Sequence, residues 1–173
     1  MTPTASDDED DVDRIVMAWR RERPELDVTP LHVLSRISRL ARRLDLARSA
    51  AFAEHNLDGW EFDVLSALRR AGPPYRLSPG QLVTETLVTS GTMTNRVDRL
   101  QERSWVCRRP APEDRRGVIV ELTEQGLGVV DAALDDLLAQ ERTILGRLDE
   151  PEREVLAGLL RRLNMPLAVS DRG

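Results

Sequence analysis

Apolar positions recur with helical spacing over most of this chain, and only the region after residue 104 changes to the alternation of an extended strand. Val12, Ile15, Val16 and Trp19 fall at i, i+3, i+4 and i+7, which predicts a short amphipathic helix that runs to about Glu22 and stops before Pro24. Thr29 followed by Pro30 reads as an N-cap and first helical position, and Leu34, Ile37, Ala41 and Leu44 mark one face of a long helix to about His55. Asp58 with Glu61 has the spacing of a capping box, opening a helix through Phe62, Leu65 and Leu68 that closes at Gly72 before Pro73 and Pro74. Ser78 with Gln81, and Pro79 between them, starts a shorter helix to about Glu85, and Thr89 or Ser90 caps a third.

The pattern then changes. Trp105 to Arg109 and Gly117 to Leu122 read as two strands, the second carrying Val118, Val120 and Leu122 on one face. Between them "PAPEDRR" holds prolines that bar regular pairing, which predicts an open, charged hairpin tip. Thr123 caps a long helix marked by Val130, Leu134, Leu137, Ile144 and Leu148, and Asp149 begins a last one through Leu156, Leu159 and Leu163. No internal repeat is present. Three short helices followed by a hairpin is the order of a winged helix-turn-helix, so the expected fold is mainly α with a small β-hairpin wing, flanked by N- and C-terminal helices. The expected organisation is an acidic, disordered tail over 1–11, an extra helix over 12–23, a dimerisation helix over 29–57, a winged helix-turn-helix over 58–123, and C-terminal dimerisation helices over 124–165.

Composition narrows the chemistry. A chain of 173 residues is long enough for a real core, and no apolar stretch approaches the roughly 18 residues that span a bilayer. The N-terminus lacks the basic and apolar regions of a secretory signal, so a cytoplasmic location is expected. Six of the seven residues from Asp7 to Asp13 are acidic, as in a solvated tail. One cysteine, Cys107, and two distant histidines, His32 and His55, leave no disulfide framework, no expected metal or cofactor site and no sequence pattern for a nucleophile with its base, so an enzyme is not expected. Cys107 reads as a small buried strand residue.

The third short helix, within "SGTMTNRVDRLQERS", sorts its residues by face. At about 100° per residue Met93, Val97 and Leu100 cluster, while Thr92, Asn95, Arg99 and Arg103 lie opposite. Arginine and asparagine form bidentate bonds to guanine and adenine edges, so that face is equipped to read bases in a major groove. Ser90 at the helix start and Arg109 at the wing root join it as candidate DNA contacts. At the wing tip Arg115 and Arg116 suit the narrow, negative minor groove, with Asp114 as a buttress for a guanidinium. From Thr89 to Arg116 the chain carries seven arginines against four acids, a local balance of +3 in a chain of net charge -5. The long helices carry more apolar face than this small domain covers. A two-fold homodimer would bury it and set two recognition helices about 34 Å apart, which implies a palindromic operator in double-stranded DNA.

These residues resemble the MarR family of winged-helix regulators from about Thr29 to Leu163. The strongest match, "PEDRRGVIVELTEQG", looks like that family's wing signature, with Asp114 and Arg116 in its paired positions. The resemblance implies that Arg116 enters the minor groove and that the end helices form the dimer interface. A narrower resemblance is to the urate-responsive branch, the PecS-like and HucR-like regulators, which add an N-terminal helix bearing a tryptophan. It implies a ligand set of Trp19 in "VMAWRRE", Asp63 in "WEFDVLSAL", Arg96 in "TMTNRVDRL" and Arg108 in "WVCRRP". Such a set suits a planar anion, with a stacking face, charge-assisted donors and an acceptor for ring N–H groups. Each has a second reading: Trp19 as a packing anchor, Asp63 with Arg96 as a structural ion pair, Arg108 as a phosphate contact.

The expectation is therefore a ligand-released transcriptional regulator, a repressor, responding to urate. The alternatives are a tricarboxylate such as aconitate or citrate, or an aromatic carboxylate, as effector of the same regulator, and a helical scaffold for protein interactions.

Overall fold

A computed structural model describes residues 9–111 and 117–165. The chain divides into two compact units, Met1–Ala50 and Ala51–Gly173.

In the first unit, α1 (Asp11–Glu22) opens on Asp10, whose carboxylate accepts from the Val12 and Asp13 amides while the Asp13 carboxylate accepts from the Asp10 amide. The acidic run is therefore partly a helix cap, and the helix begins one residue earlier than the periodicity suggests. Val12 and Val16 face inward with Val28 and Leu31, while Ile15, Met17 and Trp19 of α1 stay exposed. Arg36 of α2 (Leu31–Ala53) ties the two helices together by donating to Asp10 and Asp13 at 2.8 to 3.0 Å. Thr29 does not cap α2. Its hydroxyl and amide both donate to Asp27, so the turn before the helix is closed from the other side.

The second unit takes the last turn of α2 with Ala51 and Phe52, then α3 (Gly59–Arg70), β1 (Arg76–Leu77), α4 (Pro79–Thr86), α5 (Ser90–Glu102), β2 (Val106–Pro110), β3 (Val118–Leu122), α6 (Glu124–Leu145) and α7 (Glu150–Asn164). The capping boxes at Asp58 and Ser78 form, and Thr89 rather than Ser90 caps α5. The α4 to α5 turn places Leu87 in the left-handed region at φ 54°, a conformation that normally favours glycine.

The core joins Leu65 and Leu68 of α3, Leu82 of α4, Met93, Val97 and Leu100 of α5, Val106, Val120 and Leu122 of the sheet, and Val130 and Leu137 of α6. Phe52 and Phe62 stack with centroids 4.4 Å apart. α6 passes so close to the wing root that a Cβ on Gly126 would stand 2.0 Å from the Trp105 carbonyl oxygen, so only glycine fits there.

The sheet is antiparallel in the order β1-β3-β2. β1 pairs only Arg76 with Glu121 and Leu77 with Val120, too short a run to show a period in the sequence. Pro110 does not end the pairing as expected. It occupies the last rung opposite Val118, and beyond it the Ala111 amide donates to the Gly117 carbonyl.

Candidate nucleic-acid interface

α5 follows a helix and a tight turn, and its buried stripe of Met93, Val97 and Leu100 fixes which side meets solvent. Ser90, Thr92, Asn95 and Arg99 are all exposed. The Thr89 hydroxyl lies 2.9 Å from that of Thr92 and accepts from its amide, which fixes the first turn of the helix.

Arg103 is placed differently from its position on the wheel. At the C-terminal end of α5 its guanidinium turns back, donating to both oxygens of Glu61 at 2.9 and 3.0 Å and to the Asn56 carbonyl at 2.7 Å. It also lies 3.6 Å from the Trp105 ring centroid. Glu61 is fully buried and also accepts from the Asp58 amide, so Arg103 neutralises a carboxylate that the fold has taken out of water. A wheel treats the helix as straight and isolated, and misses a side chain that bends around the terminus to a partner 42 residues earlier. We therefore assign Arg103 to fastening α5 and not to the base-reading face.

The adjacent arginines of β2 separate because successive strand residues face opposite sides. Arg108 turns to α5, where it pairs with Asp98 at 2.6 Å and donates to Gln101 at 3.2 Å. Arg109, on the other side, pairs with Glu121 at 3.3 Å. Asp98, Gln101, Glu102 and Arg108 line a cavity of about 360 Å³. Arg96 and Arg99 both approach the ring of Trp60. Asp63 is exposed on α3, with its backbone carbonyl accepting from Ser66. Trp19 belongs to the first unit, on α1, and is half exposed. Asp114, Arg115 and Arg116 lie outside the described residues.

Glu61, Trp60, Asp98 and Gln101 are the participants that sequence reasoning missed. Glu61 carried a signal, as the third residue of a capping box, but nothing local announces its second partner. Trp60, Asp98 and Gln101 depend on tertiary proximity alone. Among the described residues, no group of three or more His, Cys, Asp and Glu side chains is placed to hold a metal ion, and no helix is long and apolar enough to cross a membrane. Cys107 is half-buried on β2.

Comparison with known proteins fits this geometry. A model of the MarR family matches residues 55–117. The chain is 38% identical over 157 residues to the HTH-type transcriptional regulator PecS of Dickeya dadantii, covering 91% of this chain and 95% of PecS. A mutant MarR from E. coli has a similar structure, with a TM-score of 0.65 at 26% identity over 80% of this chain and 98% of that one. BpsR of Bordetella bronchiseptica, whose DNA binding is regulated by 6-hydroxynicotinic acid, is similar with a TM-score of 0.57 at 28% identity, over 75% of this chain and 99% of BpsR.

Proposed function

This chain belongs to the MarR family of transcriptional regulators, and from that premise we propose that it is a homodimeric repressor released from a palindromic operator by a planar heterocyclic anion, urate. The family consists of DNA-binding regulators and not of enzymes, so the work to explain is recognition and its control.

The observation that carries the reading is the exposed polar face of α5, with Thr92, Asn95 and Arg99 opposite the buried Met93, Val97 and Leu100. In the proposal that face enters the major groove, where Asn95 and Arg99 meet base edges, Ser90 and Thr92 meet phosphate at the helix N-terminus, and Arg109 meets the flanking backbone. Arg115 and Arg116 are assigned to the minor groove, with Asp114 as their buttress.

Two-fold pairing follows from unsatisfied apolar surface. α7 buries none of its residues and exposes Val155, Leu159 and Leu163. A second copy covering such faces would set the operator's symmetry.

For the anion we carry forward Trp19, Asp63, Arg96 and Arg108. Arg108 gives a route to the DNA: an anion that takes its guanidinium competes with Asp98 and Gln101 of α5, and so loosens the helix that reads bases. Release then requires only that the anion bind the loosened state more tightly than the DNA-bound one. The ligand of BpsR is also a planar nitrogen heterocycle, which supports this class over a tricarboxylate and keeps an aromatic carboxylate as the second reading.

A thermal-melt series with urate, 6-hydroxynicotinate and citrate tests the ligand class. The midpoint is expected to rise with urate, because a ligand that favours the folded state stabilises it. A rise with citrate alone would replace the planar heterocycle with a tricarboxylate.

A further inference from the structure

Trp60 stands at the start of α3, half-buried, with its indole N–H donating to the Asp58 carboxylate at 3.1 Å. That bond fixes the ring plane. Two cations from α5 share the ring, Arg96 with its guanidinium carbon 5.5 Å from the centroid and Arg99 at 4.9 Å. They are three residues apart, one turn along the same helix edge. One is the proposed anion donor and the other the proposed base reader.

We propose that Trp60 is a positioning residue: it holds the Arg99 guanidinium in the rotamer that reads a base. The inference rests on the reading of Arg99 given above. An arginine side chain is long and loses much rotamer freedom when it makes a bidentate bond, so an aromatic face that holds it beforehand lowers that cost. The indole face attracts guanidinium groups. An aliphatic side chain at position 60 would fill the volume without attracting the guanidinium.

The test compares Trp60→Leu, Trp60→Phe and Arg99→Ala with the natural chain on three duplexes: a palindromic operator selected from random sequence, its single-base variants, and random duplex. Trp60→Leu is expected to reduce discrimination between operator and variant by about 2- to 30-fold, the range of one cation–π contact, with affinity for random duplex changed less than about twofold. Trp60→Phe keeps an aromatic face and is expected to restore discrimination, which a merely space-filling role would not require. If Arg99→Ala loses discrimination while Trp60→Leu keeps it, the inference is overturned and the base-reading role of Arg99 stands. If Arg99→Ala keeps discrimination, the underlying reading fails and the inference falls with it. Should Trp60→Leu not fold, fluorine NMR of the natural chain labelled with 5-fluorotryptophan decides. The Trp60 resonance, identified by its loss in Trp60→Phe, is expected to move on adding operator, and a resonance that does not move overturns the proposal.

Discussion

Arg108 of β2 and Asp98 of α5 meet at 2.6 Å, so the strand that leads into the wing is fastened by a charged pair to the helix assigned to base reading. The side chains keep 32% and 49% of their exposure, which places the pair among water-screened bridges of modest strength. A modest bond is what a ligand-driven switch needs, because an anion must be able to displace it.

Two substitutions separate the partners' roles. Arg108→Ala is expected to lower operator affinity, because α5 loses the same tie that the anion takes, and to leave no further response to urate. Asp98→Asn is expected to tighten urate by about two- to fivefold, since the carboxylate no longer competes for the guanidinium. Calorimetric titration of urate into each variant checks both, and unchanged urate affinity in Asp98→Asn would remove Asp98 from the switch.

Arg99 and Arg116 are expected to fail differently. Arg99→Ala should cost about 1 to 3 kcal/mol at a single base pair and little elsewhere, as the loss of one bidentate contact does. Arg116→Ala should weaken every site, most where the flanks are A·T-rich and the minor groove narrow. Binding to a panel of single-position operator variants distinguishes a loss at one position from a uniform one.

Arg103→Ala tests the fastening of α5. It leaves the buried carboxylate of Glu61 without its cation, which is expected to cost on the order of 3 kcal/mol in urea denaturation. The figure sits at the low end for a broken buried pair because Arg103 itself is 31% exposed. The ranking of operator variants should survive the substitution. A variant that stays fully stable but loses preference at one base pair would return Arg103 to the DNA interface.

Much of the fold was legible in the sequence, because most of it is written locally. Asp58 with Glu61, and Ser78 with Gln81, announce helix starts through neighbours three residues away, and Met93, Val97 and Leu100 announce a buried stripe. β1 was not legible, since two residues have no period and pair only because β3 is present. The candidate site divides in the same way. Exposure of Thr92, Asn95 and Arg99 follows from the wheel, whereas the Glu61 partner of Arg103 and the Asp98 partner of Arg108 exist only once distant elements pack. Arginines are the residues most prone to such reassignment, because a long side chain reaches partners that its position on a helix does not predict.

The first unit carries a pH dependence. The Asp13 carboxyl is held below its ordinary 3.8 by the Asp10 backbone amide and then by the Arg36 guanidinium. A carboxyl with a lowered folded-state value stabilises the fold when ionised. Its contribution is present above about pH 4 and is lost as the pH falls through the lower folded value. Carbon-13 NMR of the Asp13 carboxyl is expected to titrate with a midpoint below 3.8, and Arg36→Gln is expected to move that midpoint up toward it. A midpoint unmoved by Arg36→Gln would mean that Arg36 does not hold α1 to α2.

One small anion is proposed to separate this regulator from its operator. Fluorescence anisotropy of a labelled palindromic duplex, selected by the protein from random sequence and held at one salt concentration, measures this directly as urate is added. Saturable, salt-dependent binding is expected, with the anisotropy falling to that of free duplex as urate rises and the fall absent in Arg108→Ala. A complex that forms normally and keeps its full anisotropy at every urate concentration would contradict it.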